Sequence, residues 1–132
     1  MASIKAKKGN PFEYDTAYSL QQIGYEVNRI DDNTKGLDLI AQKGIVKFAI
    51  ECKFHKKFSW NELEKIFLKT EDYVIENLEH HEPLFIFKAN QQPVLVMFRD
   101  SDDDIILLKF EDYFDTQWAK RPKGYKIWND TK

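Results

Sequence analysis

Glu13, Asp38, Glu51 and Lys53 are the residues of this 132-residue chain whose types and spacing could do chemistry. Asp38 opens a short, mostly apolar run, and Glu51 and Lys53 stand two apart near the end of the next one. Adjacent antiparallel strands lie about 4.8 Å apart, so Asp38 and Glu51 can meet across a strand pair. Two carboxylates converging at a strand end repel each other unless a cation lies between them. A hard divalent ion such as Mg²⁺ prefers oxygen ligands of this kind and keeps several waters. Residues two apart on a strand share a face, so Lys53 points where Glu51 points. A lysine beside a metal can orient or help deprotonate a water and neutralise charge on a phosphate. Together these are the groups needed to hydrolyse a phosphodiester.

Each residue also has a plain structural reading. Alternating charge on an exposed strand face produces Glu-X-Lys often. Asp38 can be a turn residue, and Glu13 a first-turn acid favoured by the helix dipole. Cys52, the lone cysteine, sits inside a hydrophobic run and reads as packing. His55 is near the site, as a phosphate contact or a solvated loop histidine. His80-His81-Glu82 lacks a further His or Cys nearby and reads as a helix end rather than zinc. Trp60 stacks on a base or packs against the sheet edge. Trp118 and Trp128 stand among basic residues, facing nucleic acid or a second subunit. The acidic run Asp100–Asp104 reads as a solvated hairpin turn, with cation binding as the alternative.

The elements that must position these groups follow from periodicity. A first helix starts near Asn10, which can cap it, with Pro11 suited to the first turn, and stops at Gly24. Phe12, Thr16, Ala17, Leu20 and Ile23 share one helical face, and Glu13 falls inside that face. Strands are expected over Tyr25–Ile30, Leu37–Gln42 and Ile45–Lys53, with a tight turn at Lys43-Gly44. The short connections make these an antiparallel meander. In the third strand Val46, Phe48, Ile50, Cys52 and Phe54 form a dry face, and Lys47, Glu51 and Lys53 the other. Ser59-Trp60-Asn61-Glu62 is a capping box opening a long helix to about Glu79. Strands over Pro83–Lys88, Val94–Arg99 and Ile105–Phe110 follow, and the tail from Trp118 is left unassigned. Helices flanking a central sheet give an α/β sandwich.

Length and composition agree with one domain over 1–132, bearing a basic arm over about 1–9 and a tail over about 118–132. One cysteine excludes a disulfide scaffold, and the longest apolar runs are far below a membrane span. The polar, basic start has no apolar stretch behind it, so the expected location is the cytoplasm. A net charge of −2 excludes binding nucleic acid by overall charge. Local basic clusters remain: Lys5, Lys7 and Lys8; Lys53, Lys56 and Lys57; and Lys120, Arg121, Lys123 and Lys126.

Gly36-Leu37-Asp38-Leu39-Ile40-Ala41 followed by Ala49-Ile50-Glu51-Cys52-Lys53 resembles the PD-(D/E)XK nuclease motif. Upstream, Phe12-Glu13, Leu20 and Gly24-Tyr25-Glu26-Val27 are similar to the first helix and strand of two branches of that superfamily. These are the archaeal Holliday-junction resolvases and the Mrr-type restriction endonucleases, and the similarity spans about Lys8–Phe58. The resemblance implies a restriction-endonuclease-like α/β/α sandwich with a central mixed sheet. It implies a metal-dependent endonuclease for DNA, branched or foreign, with Mg²⁺ or Mn²⁺ as cofactor. Asp38, Glu51 and the backbone carbonyl of Cys52 would hold the metal, Glu13 would reach it, often through water, and Lys53 would be the catalytic lysine. Lys7, Lys8, Lys56 and Lys57 are the candidate phosphate contacts, and a homodimer would address two strands. The chain departs from the resolvases at Tyr14, where they usually carry arginine, and in its negative charge. The Glu51–His55 run looks more like the restriction branch, whose separate DNA-reading domain has no room here. A binding or assembly module without turnover, or an RNase or toxin-like nuclease, are the alternatives on the same fold.

Overall fold

A computed structural model of the chain describes residues 11–30 and 37–114. Asn10, the basic arm with Lys7 and Lys8, and the aromatic tail lie outside the described residues. Along the chain run α1 (Pro11–Gln22), β1 (Glu26–Arg29), β2 (Leu39–Lys43), β3 (Val46–His55), α2 (Trp60–Asn77), β4 (Glu82–Ala89), β5 (Leu95–Arg99), β6 (Ile105–Lys109) and α3 (Phe110–Tyr113). The strands form one sheet in the order β1-β2-β3-β4-β5-β6. Every neighbouring pair is antiparallel except β3 and β4, which run parallel. That one parallel pair requires a long crossover, and α2 supplies it.

The period of two along β3 decides the layers. Phe48, Ile50 and Cys52 face α1 and pack with Phe12, Ala17 and Leu20. Ala49 faces the other way, into a cluster with Val74 of α2 and Leu37. Next to it Leu63 and Phe67 of α2 close over Phe85, Phe87 and Met97. With α1 and the short α3 on one face of a mixed sheet and α2 on the other, this is an α/β/α sandwich, the architecture expected from the sequence.

The ends of the elements carry the departures. Gly24 does follow the first helix, and its φ of 101° is one that a side chain resists. Ile45 belongs to the β2–β3 turn and is exposed, so β3 starts one residue later and runs two residues further than the pattern suggested. Phe54 is not on a dry face: it is 50% exposed, with Phe12 edge-on at 6.0 Å and the Lys88 ammonium 5.2 Å over its ring. The core layer ends at Cys52, and beyond it the α1 face opens to solvent. The second helix stops at Asn77, so His80 and His81 lie in the following turn rather than on its last coil.

Candidate active site

The site is built where β2 enters the sheet beside the second half of β3. Asp38 stands one residue before β2, yet its backbone already continues the ladder. Its amide donates to the Ile50 carbonyl at 2.8 Å, and its carbonyl accepts from the Ile30 amide at 2.8 Å. With Leu39 paired to Ile50, Asp38 comes opposite Glu51. Its carboxylate turns back onto β3 and accepts a hydrogen bond from the Cys52 amide at 2.8 Å. That contact fixes the carboxylate against the strand carrying the other two groups.

Glu51 is only 7% exposed. Burial pushes its carboxyl up to about 7, with help from Asp38, which repels the ionised form and takes a hydrogen bond from the protonated one. Lys53 pulls the other way, its Nζ 3.6 Å from Glu51 Oε2. Negative charge is therefore crowded here beyond what one half-exposed lysine offsets. A cation held by Asp38 and Glu51 would relieve it, so this pair of oxygen donors fits a hard divalent ion.

Glu13 is 1% exposed, as its place on the inner face of α1 demands. A buried carboxylate needs a partner, and Arg29 of β1 supplies one, Nε to Oε2 at 2.7 Å. The same guanidinium lies 4.6 Å over the Tyr14 ring. Arg29 was missed at the sequence level because nothing in the spacing of a four-residue strand says which side chain will find a helix acid. The signal available was an unexplained acid on an apolar face.

The Cys52 thiol is buried, which pushes its pKa well up, and Asp38, Glu13 and Glu51 all add to that push. The three acids thus all act on Cys52, although they do not form one tight knot. Among the described residues, the three-carboxylate group whose oxygens all lie within 4.8 Å of one another is Asp100, Asp102 and Asp104. Those residues form the expected β5–β6 turn, in which Asp100 Oδ1 accepts from the Asp102 and Asp104 amides at 3.0 Å each. Asp38, Glu51 and Lys53 are brought together, then, and Glu13 is held on Arg29 beside them.

Around this centre, Lys56 and Lys57 are exposed in the loop after β3. His55 is not a loop residue: it ends β3 and stacks on Phe58, ring centres 4.6 Å apart. Trp60 starts α2 and is 47% exposed.

The class this architecture defines is an α/β/α sandwich with acids and a lysine gathered on its central strands. Among solved structures the chain is similar to Hjc of Archaeoglobus fulgidus, a Holliday junction resolvase from an archaeal hyperthermophile. The two share 18% identity and a TM-score of 0.48, over 77% of this chain and 87% of that one. No protein-family model matches the chain, and no curated protein matches it. Among the described residues no helix is long and apolar enough to cross a membrane.

Proposed function

We propose that the chain is a metal-dependent endonuclease that hydrolyses phosphodiester bonds in DNA, with branched or foreign DNA as the substrate class. The observation that supports this best is the meeting of Asp38, Glu51 and Lys53 on paired strands, with Asp38 fixed by the Cys52 amide at 2.8 Å. Asp38 and Glu51, with the Cys52 carbonyl and Glu13 through water as further donors, would hold Mg²⁺, which when bound supplies Lewis-acid activation of water and neutralises phosphate charge. Asp38 and Glu51 define the anionic floor against which that charge is placed. Lys53, 41% exposed at its side chain, reaches from the same face to a phosphate oxygen or the attacking water. Arg29 holds Glu13 through its Nε–Oε2 pair at 2.7 Å.

The test is a cleavage panel of linear, supercoiled, single-stranded and four-way DNA, and RNA, with Mg²⁺ or Mn²⁺. The expected result is cutting of DNA that falls by at least about 100-fold in Asp38→Ala and in Lys53→Ala, the loss expected when electrostatic stabilisation is removed. Preferential cutting of RNA would move the assignment to a ribonuclease. A second reading, a nucleic-acid-binding module without turnover, is favoured by the loose 3.6 Å Lys53–Glu51 pair and the engagement of Glu13 by Arg29. Binding of DNA with no cutting under either ion would decide for it.

A further inference from the structure

His55 stands two residues beyond Lys53 and four beyond Glu51 on β3, so all three side chains leave the same face of the sheet. Their neighbours agree. Glu51 and Lys53 are in register with Phe85 and Phe87 of β4. Phe58 packs edge-on against both of those rings and lies flat against His55, with 15° between the two planes. The imidazole is exposed, yet its plane is set by an aromatic anchored in the core.

An imidazole carries an N–H in either tautomer and so always has a donor to offer. Two strand residues advance about 6.7 Å, which separates the His55 donor from Lys53 by one step along a chain of phosphates. The charged groups around it are Lys53 on its own strand, Lys57 in the following loop, and Glu62 of α2. One Glu62 oxygen accepts from the Ser59 amide at 2.9 Å, and the carboxylate still lies near enough for His55 to act on it. We propose that His55 is a substrate-binding residue of the same site. It donates a hydrogen bond to the phosphate next to the one held at Asp38, Glu51 and Lys53, and Phe58 is the positioning residue that aims it. This rests on reading the site as one for nucleic acid.

The experiment is equilibrium binding of a fluorescein-labelled DNA four-way junction and of a linear duplex, without divalent ion and with Ca²⁺. The variants are H55A, H55Q, F58L and H55A/F58L, each checked by thermal melting. Losing one hydrogen bond to an exposed phosphate predicts about 3- to 10-fold weaker binding for H55A. H55Q, which keeps an N–H donor, recovers part of the loss. F58L weakens binding in the presence of His55 and has no further effect in H55A, which a merely structural role for Phe58 does not produce. The inference is overturned if H55A binds as the parent does, or if the two losses simply add. Should the unaltered protein bind neither DNA, the nucleic-acid reading of the whole site falls instead.

Discussion

Unfolded, Glu51 ionises near its ordinary 4.5, whereas in the folded chain burial and Asp38 push it up to about 7. Between those two values the folded state binds more protons than the unfolded one. Stability is therefore fully present below about 4.5 and is lost as pH rises toward 7. The displacement corresponds to about 3–4 kcal/mol at most, at about 1.4 kcal/mol per pKa unit. A thermal-melting series in chelator should show this decline, and Glu51→Gln should flatten it. Mg²⁺ should restore stability at pH 8 and do nothing at pH 5, where Glu51 is protonated. A melting temperature indifferent to Mg²⁺ at both values would count against the ion site. Asp38, Glu51 and Lys53 were legible in the sequence because the period of a strand is rigid: two apart means the same face. Arg29 and Phe58 were not, since each reaches its partner across space, and period alone gives no distance between elements.

Two helices flank the central strands, both packed on the sheet by several buried side chains, and each also carries a polar contact that can be tested. Helix α1 is tied to β1 through Glu13 and Arg29 at 2.7 Å. Arg29→Ala leaves a carboxylate that is 1% exposed without that guanidinium. Breaking a buried pair in this way should cost about 2–4 kcal/mol. Urea denaturation should show it, and Glu13→Gln in the same background should recover part of the loss by removing a buried charge. Helix α2 begins at a full capping box, Ser59 Oγ accepting from the Glu62 amide at 3.1 Å and Glu62 from the Ser59 amide at 2.9 Å. Ser59→Ala should therefore lower stability by about 1 kcal/mol in the same measurement. This cap was readable as Ser-X-X-Glu, and the helix start fell where it was expected. The helix's C-terminal end was not readable. Leu78 continues the apolar stripe in sequence, but it is the C-cap, with φ −133° and ψ 80°. A stripe shows which side of a helix is buried and not where the backbone leaves it.

Across the whole molecule, the small net charge of −2 is the sum of unevenly placed charges. In one row Lys53 pairs with Phe87 and Phe87 with Leu95, and just past that row come Lys56, Lys57 and Lys88. β5 runs antiparallel to β4, so its far end, Arg99, carries the chain to the opposite end of the sheet. There the turn presents Asp102, Asp103 and Asp104, all exposed. On the proposed function, the exposed aspartates of this turn would repel a phosphate chain and the lysines beyond β3 would attract it, although Glu111 lies beside Lys88, and Lys43 and Lys47 stand toward the turn's end of the sheet. This uneven placement separates two effects that a net charge merges. Replacing Asp102, Asp103 and Asp104 together by Asn removes repulsion far from the site. Asn also tolerates the positive φ of 69° at Asp103, so the turn should survive. Stopped-flow association with labelled duplex DNA should then speed up by about 2- to 5-fold at 20 mM salt, where the screening length exceeds about 20 Å. The gain should vanish at 150 mM, where that length is about 8 Å, and the dissociation rate should not change at either. A slower dissociation instead would place the acidic turn in contact with the DNA, and the repulsion would then not be acting at a distance.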